Sequence, residues 1–320
     1  MCSTRPSVSG MTLSLPRVTL GGNVFGWTAD EAQSFAVLDA AHAAGLTSID
    51  TADVYAAWVN GGAGGQSEEI IGRWLAARPG VRDDVVIATK AGKLPALKGI
   101  RPEVLREALA GSLGRLGVDM IDLFYLHDDD GGDLRDTLTQ LDAFVREGKV
   151  RALGLSNFSA DRIDEAFAVV ADAGLTAPEV LQPEYSLVSR DFEGELAPAA
   201  ERHGLAVAPY YALASGFLTG KYRPGADVDS VRRGSAGAYL DDVAAIATLE
   251  RLDEVAQIHD VPVASVALAW LAAQPTVVSP IASARTVEQV GPLATALTLE
   301  LTTAELASLS AASAAIGLAV

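Results

Sequence analysis

The chain has 320 residues, of which 49% are hydrophobic, and its formal net charge at pH 7 is −17. This length and composition allow one large α/β barrel or two ordinary domains, whereas the negative charge argues against nucleic acid or an anionic membrane as a partner. The only cysteine, Cys2, excludes disulfides and cysteine-based metal sites within the chain.

The sequence lacks two kinds of signal that would change this view. No apolar run of eighteen or more residues is uninterrupted, and no basic segment followed by an apolar stretch opens the chain. We therefore expect a soluble, cytoplasmic protein. The four histidines, His42, His127, His203 and His259, show no H-x-H or H-E-x-x-H spacing. This disfavours a metal-dependent barrel hydrolase, and we expect no metal.

The N-terminal residues differ in pattern from the rest of the chain. Residues 1–10 are expected to form a flexible tail, and residues 11–320 a single domain. Residues 13–20 predict a short hairpin that closes around Pro16.

From residue 20 onward, strand and helix patterns alternate. Apolar runs predict strands over residues 20–24, 47–49, 85–89, 120–126, 150–155, 179–181, 205–207 and 276–279. Apolar residues at helical spacing predict helices over residues 30–44, from 67, 102–116, 134–144, 160–173, 193–203, 243–258, 264–273, 287–296 and 303–312. Ser67 is the predicted cap of the second helix, with Glu68 and Glu69 in its first turn.

Eight strands, each followed by a helix and with no linker between them, predict a single (β/α)₈ TIM barrel. The N-terminal hairpin and extra C-terminal helices would flank this barrel. A doubly wound open sheet is the alternative, and it would carry a G-x-G-x-x-G motif after the first strand. Residues 21–26, with the sequence GGNVFG, lack that spacing.

Active sites of such barrels lie at the carboxyl ends of the strands, so the residues just past each strand are the first candidates. The polar residues at these positions are Asp50, Tyr55, Lys90, His127, Ser156, Asn157, Gln182 and Tyr210. One polar residue after a strand is most often a turn or cap residue. A whole set around one rim instead predicts a site.

Four of these residues form a chemically sensible group. A phenol has a pKa of about 10, which is high for an acid at neutral pH. A neighbouring lysine ammonium would favour the phenolate, and we therefore expect Lys90 to lower the pKa of Tyr55. Asp50 would hold the lysine in place, and His127 could orient a carbonyl oxygen.

The chain resembles the aldo-keto reductase family over nearly its whole length. The matching stretches are residues 50–55 (DTADVY), 88–92 (ATKAG), 119–127, 148–158, 182–187 (QPEYSL) and 213–222 (LASGFLTGKY). The resemblance implies that Asp50, Tyr55, Lys90 and His127 are the family's catalytic tetrad, with Tyr55 as the proton donor. The implied activity is reduction of an aldehyde or ketone, so the expected partner is a small carbonyl substrate.

The resemblance also implies a nicotinamide cofactor, NADP(H), with NAD(H) as a second possibility. Ser156, Asn157 and Gln182 would then bind the carboxamide, Tyr210 would stack on the nicotinamide ring, and Leu213, Ser215, Gly216 and Lys221 would line the pyrophosphate. Ser283, Arg285 and Gln289 match the adenosine-phosphate segment, and Asn23 is assigned to the same cofactor site. The planar fork of Arg285 suits a 2′-phosphate.

Several features depart from the family pattern or lie outside it. Residues 291–293 (Gly-Pro-Leu) replace a Glu-Asn pair that would contact adenine, and Tyr211 replaces the usual serine. Trp27 and Trp58 are candidate walls of the substrate pocket. The long, weakly patterned segment over residues 223–240 suggests a mobile flap over the cofactor.

Two questions stay open at this level. A nucleotide-sensing regulatory subunit, resembling the potassium-channel β-subunits that share the barrel, is the alternative to an enzyme. The sequence determines neither the physiological substrate nor the oligomeric state.

Overall fold

The structure is a computed structural model that describes residues 11–59, 62–225 and 233–316. The expected flexible tail, including Cys2, lies outside the described residues. The same is true of residues 60–61 and of residues 226–232 in the expected flap.

Eight parallel strands form one sheet in the order β7-β6-β5-β4-β3-β2-β1-β8. The strands are β1 (Thr19–Gly21), β2 (Ser48–Asp50), β3 (Val86–Ala91), β4 (Ile121–Leu126), β5 (Val150–Ser156), β6 (Val180–Gln182), β7 (Ala206–Val207) and β8 (Ile281–Ala282). β8 pairs with β1, with Thr19 opposite Ile281. The last strand therefore lies beside the first, as a barrel requires.

Backbone hydrogen bonds complete the circle between β7 and the residues around β8. The Val207 N–H donates to the Thr276 carbonyl at 2.8 Å, and the Ile281 N–H donates to the Pro209 carbonyl at 2.8 Å. The predicted (β/α)₈ barrel is thus confirmed. The predicted position of the eighth strand, residues 276–279, is wrong, because the backbone of that segment makes only an isolated bridge to β7, and the strand that pairs with β1 follows Pro280.

Helices follow the strands and cover the outside of the barrel. Within the described residues they are α1 (Glu31–Ala43), α2 (Gln66–Ala76), α3 (Val81–Asp84), α4 (Pro102–Leu116), α5 (Leu134–Arg146), α6 (Ala160–Ala173), α7 (Leu196–Arg202), α8 (Arg233–Gly237), α9 (Val243–His259), α10 (Val263–Ala272), α11 (Val290–Ala296) and α12 (Thr303–Ser313). Local signals set many of these ends. Asp30 caps α1 by accepting from the Gln33 N–H, and Gly174, at φ +64°, ends α6.

The predicted cap at Ser67 is wrong. The N-cap of α2 is Gly65, at φ +83°, and Ser67 lies inside the helix. The Ser67 hydroxyl donates to the Gly22 carbonyl at 2.8 Å and accepts from Thr51 at 2.8 Å. Ser67 therefore ties α2 to the loops after β1 and β2 instead of starting the helix.

The predicted N-terminal hairpin is also wrong. Residues 11–17 form no strand, and Thr19 already belongs to the barrel. Leu13 is buried among residues that point into the barrel interior, and Thr12 binds the Glu179 carboxylate through its N–H at 2.8 Å. This segment is held by the barrel rather than by a partner strand of its own.

The core has two layers. The larger lies between the strands and the surrounding helices, and a smaller one fills the barrel. Within the barrel, a Cβ placed on Gly154 would lie 2.3 Å from the Tyr125 ring. Glycine at this position lets the buried Tyr125 ring pack against β5. Side chains therefore fill the barrel interior below the carboxyl ends of the strands.

Candidate active site

Asp50, Tyr55 and Lys90 meet at the carboxyl ends of β2 and β3. The Lys90 Nζ donates to Asp50 Oδ2 at 2.7 Å, to the Thr51 carbonyl at 2.8 Å and to the Tyr55 hydroxyl at 2.9 Å. Lys90 is fully buried, and Asp50 is nearly so. All three ammonium protons therefore have acceptors, and one of those acceptors is the phenol oxygen.

The Asp50 carboxylate is held from a third direction by Gln182 at the end of β6. Gln182 Nε2 donates to Asp50 Oδ1 at 2.9 Å, while the Tyr55 hydroxyl lies 3.4 Å from Oδ2. A buried ion pair is stable only when its remaining hydrogen-bonding positions are filled. Removing either charge would leave the other buried without compensation.

The protonation of Tyr55 differs from the expectation drawn from sequence. Burial raises the pKa of Tyr55 well above its ordinary value of 10.0, and the Asp50 carboxylate raises it further. Burial also lowers the pKa of Lys90, against the opposing effect of Asp50. The prediction that Lys90 lowers the pKa of Tyr55 is therefore wrong, because desolvation and Asp50 dominate. The phenol is held in its protonated form.

His127, just after β4, faces the phenol. The two rings lie 6.2 Å apart between centroids and nearly perpendicular, at 79°. Burial, followed by the charges of Lys90 and Lys93, lowers the pKa of His127 well below its ordinary value of 6.5. The imidazole is thus neutral. Its Nδ1 is buried with no hydrogen-bond partner among the described residues.

The ends of β4, β5 and β7 are linked by hydrogen bonds through Asn157. Asn157 Nδ2 donates to the His127 carbonyl at 2.8 Å, and the Tyr210 hydroxyl donates to Asn157 Oδ1 at 2.9 Å. Asn157 adopts φ +59°, which asparagine tolerates better than most residues. The Ser156 hydroxyl donates to the Gln182 carbonyl at 2.9 Å. The three residues assigned to the carboxamide therefore form one connected rim.

A cavity of about 510 Å³ opens over this rim. Every residue assigned from sequence to the cofactor lines it: Asn23, Ser156, Asn157, Gln182, Tyr210, Leu213, Ser215, Gly216, Lys221, Ser283, Arg285 and Gln289. Asp50, Tyr55 and His127 lie in the same wall. The volume of the cavity lies within the range typical of small-molecule sites.

The part of the cavity formed after β8 carries groups that suit a phosphate. The Arg285 guanidinium takes part in none of the hydrogen bonds or ion pairs of the described residues, while its backbone N–H is fixed by Gln289 Oε1 at 2.8 Å. The Ser283 hydroxyl donates to Asn23 Oδ1 at 2.6 Å, across the β1–β8 junction. A cation free to form charge-assisted bonds is what a 2′-phosphate needs.

The loop after β7 has an unusual backbone. Tyr211, Ala214 and Ser215 adopt φ of +63°, +47° and +56°, and Gly216 follows at +94°. A Cβ on Gly216 would lie 3.4 Å from Lys221 Nζ, so glycine leaves room beside this ammonium. The Ala214 and Gly216 N–H groups are bonded to the Tyr211 and Leu213 carbonyls, at 2.8 Å each, so the Lys221 ammonium is the group of this loop that suits a phosphate. Together with Arg285, the loop fits a dinucleotide phosphate.

Two departures from the family pattern also lie on this cavity. Tyr211 lines it, and its hydroxyl accepts from the Ser215 hydroxyl at 2.9 Å. Pro292 and Leu293 line it where the family carries a Glu-Asn pair, and the Pro292 carbonyl accepts from Ser265 at 2.7 Å. This part of the wall is apolar, so it offers contact area but few polar contacts.

Trp27 and Trp58 are not among the described residues that line the cavity. Their rings pack edge to face at 5.6 Å, and the Trp58 ring lies 6.3 Å from the Tyr55 ring. Trp58 is 49% exposed. The structure thus places Trp58 beside the Tyr55 ring and Trp27 behind Trp58, and neither tryptophan lines the main cavity.

Two charged residues escaped the sequence analysis as parts of the site. Lys93 lines the cavity three residues after Lys90, and its position on the loop past β3 was the available signal. Asp53, on the loop after β2, is fully buried, and neither carboxylate oxygen has a hydrogen-bond partner among the described residues. Burial, with the charge of Glu68, raises the pKa of Asp53 to about 7. No local pattern indicates such burial.

The described residues contain neither a metal-ligand cluster nor a single membrane-spanning helix. No group of three or more His, Cys, Asp or Glu side chains there is arranged to hold a metal ion. In that part of the chain no single helix has the length and apolar character of a membrane span, and α9 and α10 reach it only as a pair bent by 98°.

Residues 17–314 match the model of the aldo/keto reductase family. The chain is 37% identical over 262 residues to the aldo-keto reductase str7 of Strobilurus tenacellus, covering 78% of this chain and 72% of that protein. It is 34% identical over 278 residues to a probable voltage-gated potassium channel subunit beta of Oryza sativa subsp. japonica, covering 83% and 82%. It is also 33% identical over 288 residues to the uncharacterized oxidoreductase YrpG of Bacillus subtilis (strain 168), covering 87% and 86%.

Proposed function

The chain belongs to the aldo/keto reductase family, and from this premise we propose that it reduces aldehydes or ketones to alcohols with NADPH. The observation that carries the proposal is the bonded cluster of Asp50, Lys90 and Tyr55 facing a neutral His127. The net reaction converts a carbonyl, NADPH and a proton into an alcohol and NADP⁺. When bound, the nicotinamide supplies hydride to the carbonyl carbon.

In the proposed reaction Tyr55 supplies the proton. Its phenol is protonated, and it borders the same cavity as His127, so a carbonyl oxygen between the two rings could accept a hydrogen bond from each. As the proton leaves, negative charge develops on the phenol oxygen. The Lys90 ammonium, 2.9 Å away, is already oriented to stabilise that charge.

The supporting residues keep these groups in place. Asp50 and the Thr51 carbonyl fix the direction of the Lys90 ammonium, and Gln182 fixes Asp50. A neutral His127 can donate a hydrogen bond to the carbonyl oxygen. Because its pKa is lowered, it does not take the proton from Tyr55. Preorganised donors of this kind need no rearrangement during the reaction.

The preference for NADPH follows from Arg285. Its guanidinium lies on the cavity wall without a protein partner among the described residues and is half-buried. The apolar Pro292 and Leu293 would weaken contacts to adenine, which NADPH and NADH share. Both nucleotides should therefore bind less tightly, with the preference for the 2′-phosphate retained.

The test is replacement of Tyr55 by phenylalanine. Purified wild-type protein should consume NADPH with a generic aldehyde, and Tyr55→Phe should lower kcat by about 10²–10⁴-fold, the usual worth of a general acid. Nucleotide affinity, followed by fluorescence titration, should stay unchanged. Tyr185→Phe is the matched control, because the Tyr185 hydroxyl binds Glu193 at 2.7 Å, outside the cavity. Undiminished turnover by Tyr55→Phe would reject Tyr55 as the proton donor.

A second candidate is a nucleotide-sensing regulatory subunit. It is favoured by the 34% identity to the rice potassium channel subunit beta. Such a subunit would bind the nucleotide at the same site but release it too slowly for useful turnover. Single-turnover and steady-state rates separate the two: a fast single turnover followed by very slow steady-state turnover would favour the sensor, and fast steady-state turnover the enzyme.

A further inference from the structure

The cavity has a charge opposite to that of the protein. The chain carries a net charge of −17, yet the described residues of the cavity wall include three cations, Lys93, Lys221 and Arg285, and one carboxylate, Asp50. Asp50 is already paired with Lys90. The cavity therefore attracts anions in a protein that otherwise repels them.

The three cations occupy two sides of the barrel mouth. Lys221 follows β7 and Arg285 follows β8, whereas Lys93 follows β3. In the sheet order, β3 lies four strands from β7, and β8 is separated from β3 by β1 and β2. Lys93 thus lies across the mouth from the two cations that suit the phosphates of a dinucleotide. An anion that binds Lys93 would therefore be one other than the dinucleotide phosphates.

Lys93 lies beside the reacting groups. Its charge contributes to lowering the pKa of His127, so its field reaches the imidazole that faces Tyr55. The turn that brings it there depends on Gly92, which adopts φ +117° and accepts from the Gly99 N–H at 2.9 Å. A side chain is strained in that conformation, so glycine at position 92 allows the turn that precedes Lys93.

The protein itself leaves the Lys93 charge only partly satisfied. Its nearest carboxylate, Asp128, lies 3.6 Å away, which is too long for a hydrogen bond, and both side chains are partly exposed. The two other acids of the same loop are engaged elsewhere. Asp129 binds Arg162 at 2.7 Å, and Asp130 accepts from the Ile100 and Gly132 N–H groups. Among the described residues, the Asp128 carboxylate at 3.6 Å is therefore the group that would compete with an anionic ligand for the Lys93 ammonium.

Building on the reductase function above, we propose that Lys93 determines specificity for oxo acids, carbonyl substrates that carry a carboxylate. The carbonyl would lie between Tyr55 and His127 and the carboxylate on Lys93. Such a substrate is anionic, and Lys93 is the cation of the cavity wall that the dinucleotide phosphates would leave unengaged. The contact is a charge-assisted hydrogen bond, which is stronger than a neutral one.

The test compares 4-carboxybenzaldehyde with methyl 4-formylbenzoate, which have nearly the same shape but differ in charge. The wild-type ratio of kcat/KM values, acid over ester, should be at least about tenfold, the effect of one well-formed charged contact. Lys93→Met should bring this ratio close to one. Lys93→Arg should retain part of it, and Asp128→Asn should raise it by removing the competing carboxylate. Lys98→Met, at an exposed position outside the cavity, is the control.

The outcomes separate this proposal from the reductase function itself. If both aldehydes are reduced without a preference, or if Lys93→Met leaves the ratio unchanged, Lys93 does not select the substrate. If neither is reduced, the reductase function fails, and binding then decides the role of Lys93. Titration of each aldehyde by tryptophan fluorescence should show tighter binding of the acid to wild type and equal binding of both to Lys93→Met. Equal binding to wild type would overturn the proposal.

Discussion

Replacing Asp53 by asparagine should flatten the dependence of stability on pH between pH 5 and 8. The Asp53 carboxyl is fully buried, and neither oxygen has a hydrogen-bond partner among the described residues. Burial and then the Glu68 charge raise its pKa from 3.8 to about 7, against the opposing effects of the Arg115 charge, the neighbouring Val54 N–H and the Lys90 charge. Glu68 itself is satisfied by Arg115 at 2.7 Å and Thr89 at 2.5 Å. The unpaired carboxyl is therefore Asp53.

The sign follows from proton binding in the two states. The folded pKa lies above that of the unfolded chain, so the folded state binds the proton more tightly. The resulting stabilisation is fully present below pH 3.8 and is lost as the pH rises through about 7. Between pH 5 and 8 the loss amounts to about 2.5 kcal/mol for one such group. For 320 residues this corresponds to about 4 °C in the unfolding midpoint.

The measurement is the thermal midpoint of wild type and Asp53→Asn at pH 5, 6, 7 and 8. The variant also buries a carboxamide in place of the carboxyl, which changes stability by the same amount at every pH, so the informative quantity is how the difference between the two midpoints changes with pH. Asp53→Asn should gain about 4 °C on wild type from pH 5 to pH 8. Asp83→Asn, at an exposed position, should show a constant difference. A constant difference for Asp53→Asn as well would mean that Asp53 is ionised and satisfied throughout.

Two further predictions concern the binding site. NADPH should bind about tenfold more tightly than NADH, because a partly exposed contact is weakened by solvent, and Arg285→Ala should narrow this ratio by weakening NADPH. The measurement is calorimetric titration of both nucleotides into wild type and Arg285→Ala. An unchanged ratio of the NADPH and NADH affinities in the variant would show that Arg285 does not bind the 2′-phosphate. The His127 imidazole should stay neutral from pH 8 to 5.5, because burial and the charges of Lys90 and Lys93 lower its pKa. A ring-proton NMR titration with a midpoint near the ordinary value of 6.5 would contradict this.

The sequence by itself determined the barrel and the composition of its rim. Alternating apolar runs and helical spacing depend on neighbouring residues, so elements such as α4 and α6 were predicted close to their observed bounds. Because parallel strands end at one rim, Asp50, Lys90 and His127 could be expected together before any contact was known. Hydrogen bonds of 2.7 and 2.9 Å from Lys90 to Asp50 and Tyr55 agree with that expectation.

Local patterns failed where a segment's partner is distant in the chain. Residues 13–20 have the spacing of a hairpin, but Leu13 packs in the barrel interior, and residues 276–279 were assigned to the strand that in fact follows Pro280. An apolar run indicates that a segment is buried but not which strand it pairs with. That choice is made by the closed sheet as a whole.

Only the tertiary structure decided the electrostatics of the site. The sequence and the structure both place Tyr55 next to Lys90. The sequence predicts a lowered Tyr55 pKa, whereas burial and the Asp50 charge raise it in the structure. Asp53 and Lys93 acquired their significance in the same way, one by complete burial without a partner and the other by its place across the mouth from Arg285. Desolvation and charge interactions depend on distances through space, and residues far apart in sequence set those distances.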